Sequence, residues 1–227
     1  MREMPLGRKF TKAFVGTYMR RYHRLELEGA ENVPPHGPLL VLVNHASLLD
    51  VPALMVVDPY PDTVTVVKAS LFKVPLVRWF LKQWNAIPVE RAGRDSSGVR
   101  TMLSVLRAGG VVTVAAEGRR TRSGRLEPIN PVLARIAATA DVPIMPVGVR
   151  GSFDALPPGA RFPRPKKIVV RAGAPFRIAR GTDVSTAATR IRREIAALLP
   201  PAMQPLDEPP PAQLHPRDDV PSASRPA

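Results

Sequence analysis

"VLVNHASLLDVP", residues 41–52, decides how this chain is read. It continues the apolar run "PLLVLV", which reads as a buried strand, and it opens "SLLDVPALMVV", which reads as an apolar helix. A histidine, His45, stands where one becomes the other, and an acid, Asp50, interrupts the apolar run behind it. On one continuous helix, five steps of about 100° would leave the two side chains roughly 140° apart. A strand ending at Asn44 and a helix starting near Ser47 lift that restriction. His45 then lies in the turn, Asp50 lies in the first helical turn, and the carboxylate reaches back to the imidazole. An acid on one ring nitrogen fixes the tautomer and stabilises the imidazolium, leaving the other nitrogen free to take a proton. Ser47-Leu48-Leu49-Asp50 is also an S-x-x-D capping pattern, so Asp50 caps the helix, orients His45, or does both.

Outward from this turn, strand and helix patterns alternate along most of the chain. Strands are expected at "LELE", "PLLVLV", "DTVTVVK", "NAIPVE", "VVTVAA", "VPIMPVGV" and "KKIVVRAG". Helices are expected over residues 6–22 and at "PLVRWFLKQW", "SSGVRTMLSVLRAGG", "INPVLARIAATA" and "VSTAATRIRREIAALL", besides the one already named. Pro75 opens one of these helices, and Gly-Gly closes another. This order predicts an α/β domain with a largely parallel or mixed sheet flanked by helices. Residues 1–24 form an N-terminal amphipathic unit, 25–199 the main domain, and 200–227 a Pro-rich tail expected to be disordered. In the N-terminal helix Phe10, Phe14 and Tyr18 recur every four residues among basic side chains. That pattern suits an interfacial helix on anionic lipid or a helix packing its aromatic face on the domain.

Charge narrows the partner. The 227 residues hold 33 Lys and Arg against 19 Asp and Glu, a net +14, which suits an anionic partner. Cysteine is absent, which excludes disulfides, thiolate zinc sites and an acyl-cysteine intermediate. The most apolar window, residues 39–57, contains Asn44, His45 and Asp50. An acid near the middle of a membrane helix costs about 2.5–3.5 kcal/mol, so this window reads as protein core. Of the four histidines, His23, His36 and His215 are expected in solvent; His45 alone ends a buried strand.

Two further segments follow strands, where sites in parallel sheets collect. In "AAEGRRTRSGRLEP" Glu117 ends a strand and Gly118 permits a turn, and Arg119, Arg120, Thr121, Arg122, Ser123 and Arg125 follow. Arginines grip phosphate bidentately, and hydroxyls and backbone N–H groups complete such a cradle. In "NAIPVERAGRD" Arg91 follows a short strand. Lys68, ending another strand, is a weaker candidate for anionic groups.

Taken together, "NHASLLD", "AIPVER", "EGRRT" and "VPIMPV", in that order, resemble the motifs of the glycerolipid acyltransferases of the 1-acyl-glycerol-3-phosphate acyltransferase type. The resemblance covers about residues 25–151 and includes "LEGAENVPPHGPLLVLVNH" and "KASLFKVP". It departs at Arg119, where the family usually has Thr, at Thr121 for Ser, and at Asn130 and Val132 for Lys and Gly. The resemblance implies acyl transfer from acyl-CoA or acyl-ACP (acyl carrier protein) to the hydroxyl of a lysophospholipid such as lysophosphatidic acid, in phospholipid biosynthesis. His45 and Asp50 would be catalytic. Asn44, Arg91, Glu117, Gly118, Arg119, Arg120 and Thr121 would bind substrate. No metal and no bound cofactor are expected. An anionic membrane surface, acyl carrier protein and the two substrates are the expected partners, with a peripheral place on the cytoplasmic face of the cell membrane. An acyltransferase for another lipid or glycolipid, and a thioesterase using the same dyad on water, remain alternatives. A basic nucleic-acid or membrane-binding module is a third, although aromatics are 5% of the chain and no stacking platform stands out.

Overall fold

The computed structural model describes residues 6–89 and 96–206. Seven strands make one sheet: β1 (Glu26–Glu28), β2 (Leu39–Val43), β3 (Val64–Lys68), β4 (Ile87–Val89), β5 (Val111–Ala115), β6 (Ile144–Arg150) and β7 (Val169–Ala172). Their order is β1-β7-β6-β2-β5-β3-β4. From β6 across to β4 every pair is parallel. β7 then runs antiparallel to β6, and β1 follows β7 in parallel. The sheet is therefore mixed, with two reversed strands at one edge. That reversal places the starts of β1 and β7 beside the end of β6, where Arg150 pairs with Val169.

The helices among the described residues are α1 (Leu6–Tyr22), α2 (Asp50–Val57), α3 (Pro75–Gln83), α4 (Ser96–Arg107), α5 (Pro131–Ala140), α6 (Ser152–Ala155) and α7 (Val184–Ala196). β2 lies at the centre and is buried along its whole length. Its side chains alternate between two cores, as the pleat requires. Leu40 and Leu42 pack against Leu106 of α4, Ile136 of α5 and Ile191 of α7. Leu39, Val41 and Val43 pack against Ala53 and Val56 of α2 and Met19 of α1. Truncating such a leucine to alanine costs about 2–5 kcal/mol, so both layers are fastened through the one strand that ends in the histidine turn.

α1 packs the opposite way from an ordinary aromatic-faced core helix. Its buried side chains include Arg8, Thr11 and Met19, while Phe10 and Phe14 are 70% and 72% exposed. Arg8 is held beneath the Trp84 ring, 4.7 Å from its centroid. It donates to the Tyr60 carbonyl (3.0 Å), to Asp58 (3.3 Å) and to the Pro61 carbonyl. α1 is thereby pinned to the loop that follows α2, with its aromatic stripe outward. On α3, Leu76 and Trp79 are likewise exposed while Leu81 is buried. No helix among the described residues is long and apolar enough to cross a membrane.

Two expectations need correction. His23 is wholly buried, not solvated: Nδ1 donates to the Lys166 carbonyl and Nε2 accepts from the Tyr18 hydroxyl, both at 3.1 Å. Burial pushes its pKa down. The order of the chain also extends past Leu199. Leu126 N–H donates to the Met203 carbonyl (2.8 Å), and the Gln204 side chain donates to the Leu199 carbonyl (3.0 Å). Residues 207–227 of the expected tail lie outside the described residues.

Candidate active site

The turn after β2 is fixed from four directions. Asn44, buried at 2% exposure, clips it to β6: its Oδ1 accepts from Val149 N–H (2.7 Å) and its Nδ2 donates to the Val149 carbonyl (3.0 Å). His45 N–H donates to Glu117 Oε2 (2.7 Å), and the His45 carbonyl accepts from Thr121 N–H (2.9 Å). Ser47 Oγ donates to the Leu156 carbonyl (2.8 Å) beyond α6 and accepts from Leu49 N–H (3.2 Å). The strand ends at Val43 and the regular helix begins at Asp50, so residues 44–49 form an open turn.

Within that turn a single oxygen does two jobs. Asp50 Oδ2 lies 2.9 Å from His45 Nδ1 and accepts from Ala46 N–H and Ser47 N–H, each at 2.8 Å. The bond from Ser47 N–H braces the turn, and the contact with His45 orients the imidazole. The helix starts after Leu49 with no side-chain cap, so the expected S-x-x-D cap is not made and Asp50 serves the turn instead. Because a carboxylate only accepts, Nδ1 carries the proton and Nε2 carries the lone pair. The acid is sealed in at 2% side-chain exposure, and the imidazole keeps 21%.

Glu117 follows β5 and is 5% exposed. Its Oε1 accepts from Glu127 N–H (2.8 Å) while Oε2 holds His45. Burial pushes its carboxyl up to about 8, against those two N–H bonds, which pull it down. Gly118 takes φ of 68°, the left-handed turn that glycine adopts without strain. The turn exposes Arg119, which pairs with Glu127 at 2.7 Å. Arg125 donates to the Gln204 carbonyl at 2.9 Å. Arg120, half-buried, and Arg122, exposed, have no hydrogen-bond or ion-pair partner among the described residues. Thr121 is buried, and its Oγ1 lies 3.2 Å from Ser123 Oγ.

His45, Asp50, Gly118, Arg119, Arg120, Thr121 and Arg122 line one cavity of about 830 Å³. Lys68 reaches it too. Its interior runs between α2, at Val51, Leu54 and Met55, and the apolar sheet face of Val41, Val43, Met145 and Val147. One end is thus cationic and hydroxylated; the rest is mostly apolar, with Asp58, Thr65, Ser70 and Thr113 also in the lining. α3 does not line the cavity. Arg91 lies outside the described residues; Val89, two positions earlier, lines the cavity.

A family model described as Acyltransferase matches residues 24–150, which contain β2, the histidine turn and the arginine loop.

The chain belongs to the acyltransferase family. A chloroplastic 1-acyl-sn-glycerol-3-phosphate acyltransferase of Brassica napus is 25% identical over 142 residues, 61% of this chain and 41% of that one. The protein of that name from Bacillus subtilis is 28% identical over 122 residues, 53% of this chain and 60% of its own. A crystal structure of the 1-acyl-sn-glycerophosphate acyltransferase PlsC from Thermotoga maritima shares the fold, with a TM-score of 0.68 at 22% identity. That match covers 86% of this chain and 82% of the other. The chain spans about half the length of the curated relatives it matches.

The structure of this acyltransferase-family chain separates its site residues by what they touch. His45, Gly118, Arg119, Arg120 and Thr121 line the cavity, whereas both polar atoms of Asn44 and both of Glu117 face backbone. Asn130, where the resemblance leads one to expect Lys, caps α5 by accepting from Val132 N–H at 2.9 Å. Arg122 joins the cavity although its sequence signal, one more arginine in a run, did not single it out. Leu48, 53% exposed on the turn itself, also lines the mouth.

Proposed function

We propose that this chain transfers an acyl group from an acyl thioester, carried by coenzyme A or acyl carrier protein, to the free hydroxyl of a lysophospholipid. Lysophosphatidic acid is the acceptor the site suits best, giving phosphatidic acid in phospholipid synthesis. One observation carries this reading. An imidazole with its proton fixed on Nδ1 faces a cavity that is cationic at one end and mostly apolar through the rest.

The acceptor hydroxyl gives its proton to His45 Nε2 as its oxygen attacks the thioester carbonyl carbon. Asp50 stabilises the imidazolium that forms. The tetrahedral intermediate collapses, the C–S bond breaks, and His45 returns the proton to the departing thiol. Arg120 and Arg122, free of partners among the described residues, hold the acceptor phosphate. The acyl chain lies between α2 and the sheet. Asn44 and Glu117 hold the turn and the arginine loop in register. Arg91 assists at the phosphate. The exposed aromatic stripe of α1, among basic residues, lies on an anionic membrane surface at its cytoplasmic face.

Purified protein incubated with acyl-CoA and a panel of lysophospholipids tests this by mass spectrometry of the lipid product. Phosphatidic acid formation that depends on His45 is expected. Thiol release at the same rate without any acceptor would make the chain a hydrolase and overturn the proposal. Acylation confined to acceptors without phosphate would overturn the role of the arginines.

A further inference from the structure

The loop of residues 156–168, "LPPGARFPRPKKI", touches the site only at its start, through Leu156 and Pro158, yet its whole length is tied down. Its backbone is tied at several points. Arg164 N–H donates to the Ala155 carbonyl (2.7 Å), Tyr22 Oη to the Pro163 carbonyl (3.0 Å), and Ile168 N–H to the His23 carbonyl (2.9 Å). The buried His23 holds the Lys166 carbonyl at 3.1 Å. Four prolines, Pro157, Pro158, Pro163 and Pro165, stiffen it further. At the tip of this fastened loop Phe162 is 82% exposed. A bulky aromatic held outward by a rigid loop meets no protein surface here.

Its neighbours define what it would meet. Pro163 sits against Tyr22, whose ring stacks on Tyr18 at 5.4 Å between centroids. Phe162 is thus the chain neighbour of the residue that Tyr22, the last aromatic of α1, holds. Exposed cations surround this end: Arg20, Arg21 and Arg24 on or just after α1, and Arg161, Arg164 and Lys166 on the loop. Lys167 is paired with Glu26 at 2.7 Å. Because β7 is reversed, the loop enters it beside the strand ends after which the histidine turn lies. Leu156 accepts from Ser47 Oγ, and Pro158 lines the cavity with His45.

We propose that this loop is a second membrane-docking point, in which Phe162 inserts among the acyl chains of an anionic bilayer while Arg161, Arg164 and Lys166 engage the headgroups. It rests on the reading of α1 as a membrane-surface helix and extends it to a separate chain segment. Two anchors at different points fix orientation as well as attachment. The loop anchor sets the cavity mouth at headgroup level, where an acceptor lipid presents its hydroxyl. The chemistry is that of an interfacial aromatic flanked by basic residues.

The absence of cysteine makes a direct test available. Full-length Phe162→Cys is labelled with a polarity-sensitive thiol dye and mixed with phosphatidylglycerol–phosphatidylcholine vesicles or with phosphatidylcholine alone. A blue shift, quenched by lipids brominated in their tails, is expected with the anionic vesicles and not with the neutral ones. The same label at Phe10→Cys reports on α1, and at Ser185→Cys, exposed near the start of α7, it stays silent. In sedimentation, Phe162→Ser lowers partition onto anionic vesicles about tenfold. Replacing Arg161, Arg164 and Lys166 together by Ser lowers it about a hundredfold. The thermal midpoint of Phe162→Ser stays at the wild-type value, because the side chain is solvated. A silent label at 162 with a responsive one at 10, or unchanged partition of Phe162→Ser, overturns the loop anchor and leaves α1 standing. Silence at both positions overturns membrane docking altogether.

Discussion

Replacing Asp50 by Asn keeps the shape of the histidine turn and removes its charge. In the structure Asp50 Oδ2 accepts three N–H bonds, from His45, Ala46 and Ser47, while Oδ1 is buried with no partner among the described residues. The asparagine carbonyl takes the three donors, and its NH₂ occupies the Oδ1 position without displacing any bond. Three charge-assisted bonds become neutral ones, each weaker by about 1 kcal/mol. Relief of a buried charge offsets part of that loss. A net cost of about 1–2 kcal/mol lowers Tm by about 2–8 °C for a chain of this size. Turnover loses far more. Without the carboxylate the imidazolium formed in proton transfer has no counter-charge, and kcat falls about 10²–10⁴-fold, equivalent to about 3–5 kcal/mol on the barrier. The KM for the acceptor stays near wild type, because the arginine loop is untouched. The assay is thiol release from acyl-CoA in the presence of lysophosphatidic acid, read with a thiol reagent; a chain without cysteine adds no background. An Asp50→Asn enzyme that turns over within threefold of wild type, while showing the full loss in Tm, would reduce Asp50 to a turn cap and refute the reasoning.

His45→Ala should abolish turnover with Tm little changed, since the imidazole keeps 21% exposure and makes one bond; circular dichroism and the same assay check both, and an active folded variant would remove the base. Arg120→Ala and Arg122→Ala should each raise the acceptor KM about tenfold or more with a smaller effect on kcat, and an unchanged KM would end their role at the phosphate. Glu117 makes stability depend on pH with a definite sign. Its folded carboxyl at about 8, against an ordinary 4.5, keeps a proton that the unfolded chain has lost. Its contribution is therefore complete below about 4.5 and fades as pH rises to about 8, by roughly a few kcal/mol. Denaturant unfolding across that range should show this slope in wild type and not in Glu117→Gln; equal slopes would refute it.

Much of the fold was legible because it depends on local pattern. The bounds of α1, the buried run of β2, the Asn130–Pro131 start of α5 and the Gly-Gly end of α4 follow from spacing and capping chemistry. The contact between His45 and Asp50 was legible for the same reason, the two lying five residues apart. Hidden from the sequence were contacts across long stretches of chain. Glu117 holds His45 over a separation of 72 residues, and Asn44 holds Val149 over 105. The resemblance implied substrate ligands at both positions, while their surroundings engage both side chains with backbone. His23 looked solvated because a basic segment surrounds it; the return of the 156–168 loop buries it.

By itself the sequence determined which residues this protein would bring to an edge of its sheet: a histidine and an acid after β2, and a glycine and arginines after β5. Tertiary structure decided what each of them does there. Strand order puts β2 beside β5, so two turns far apart in the chain share one carboxylate, and the reversal of β7 brings the aromatic loop beside the same strand ends. The physical reason is one of range. Periodicity and capping act within a turn or two of chain, whereas burial, hydrogen-bond partners and pKa depend on neighbours that only the closed sheet supplies.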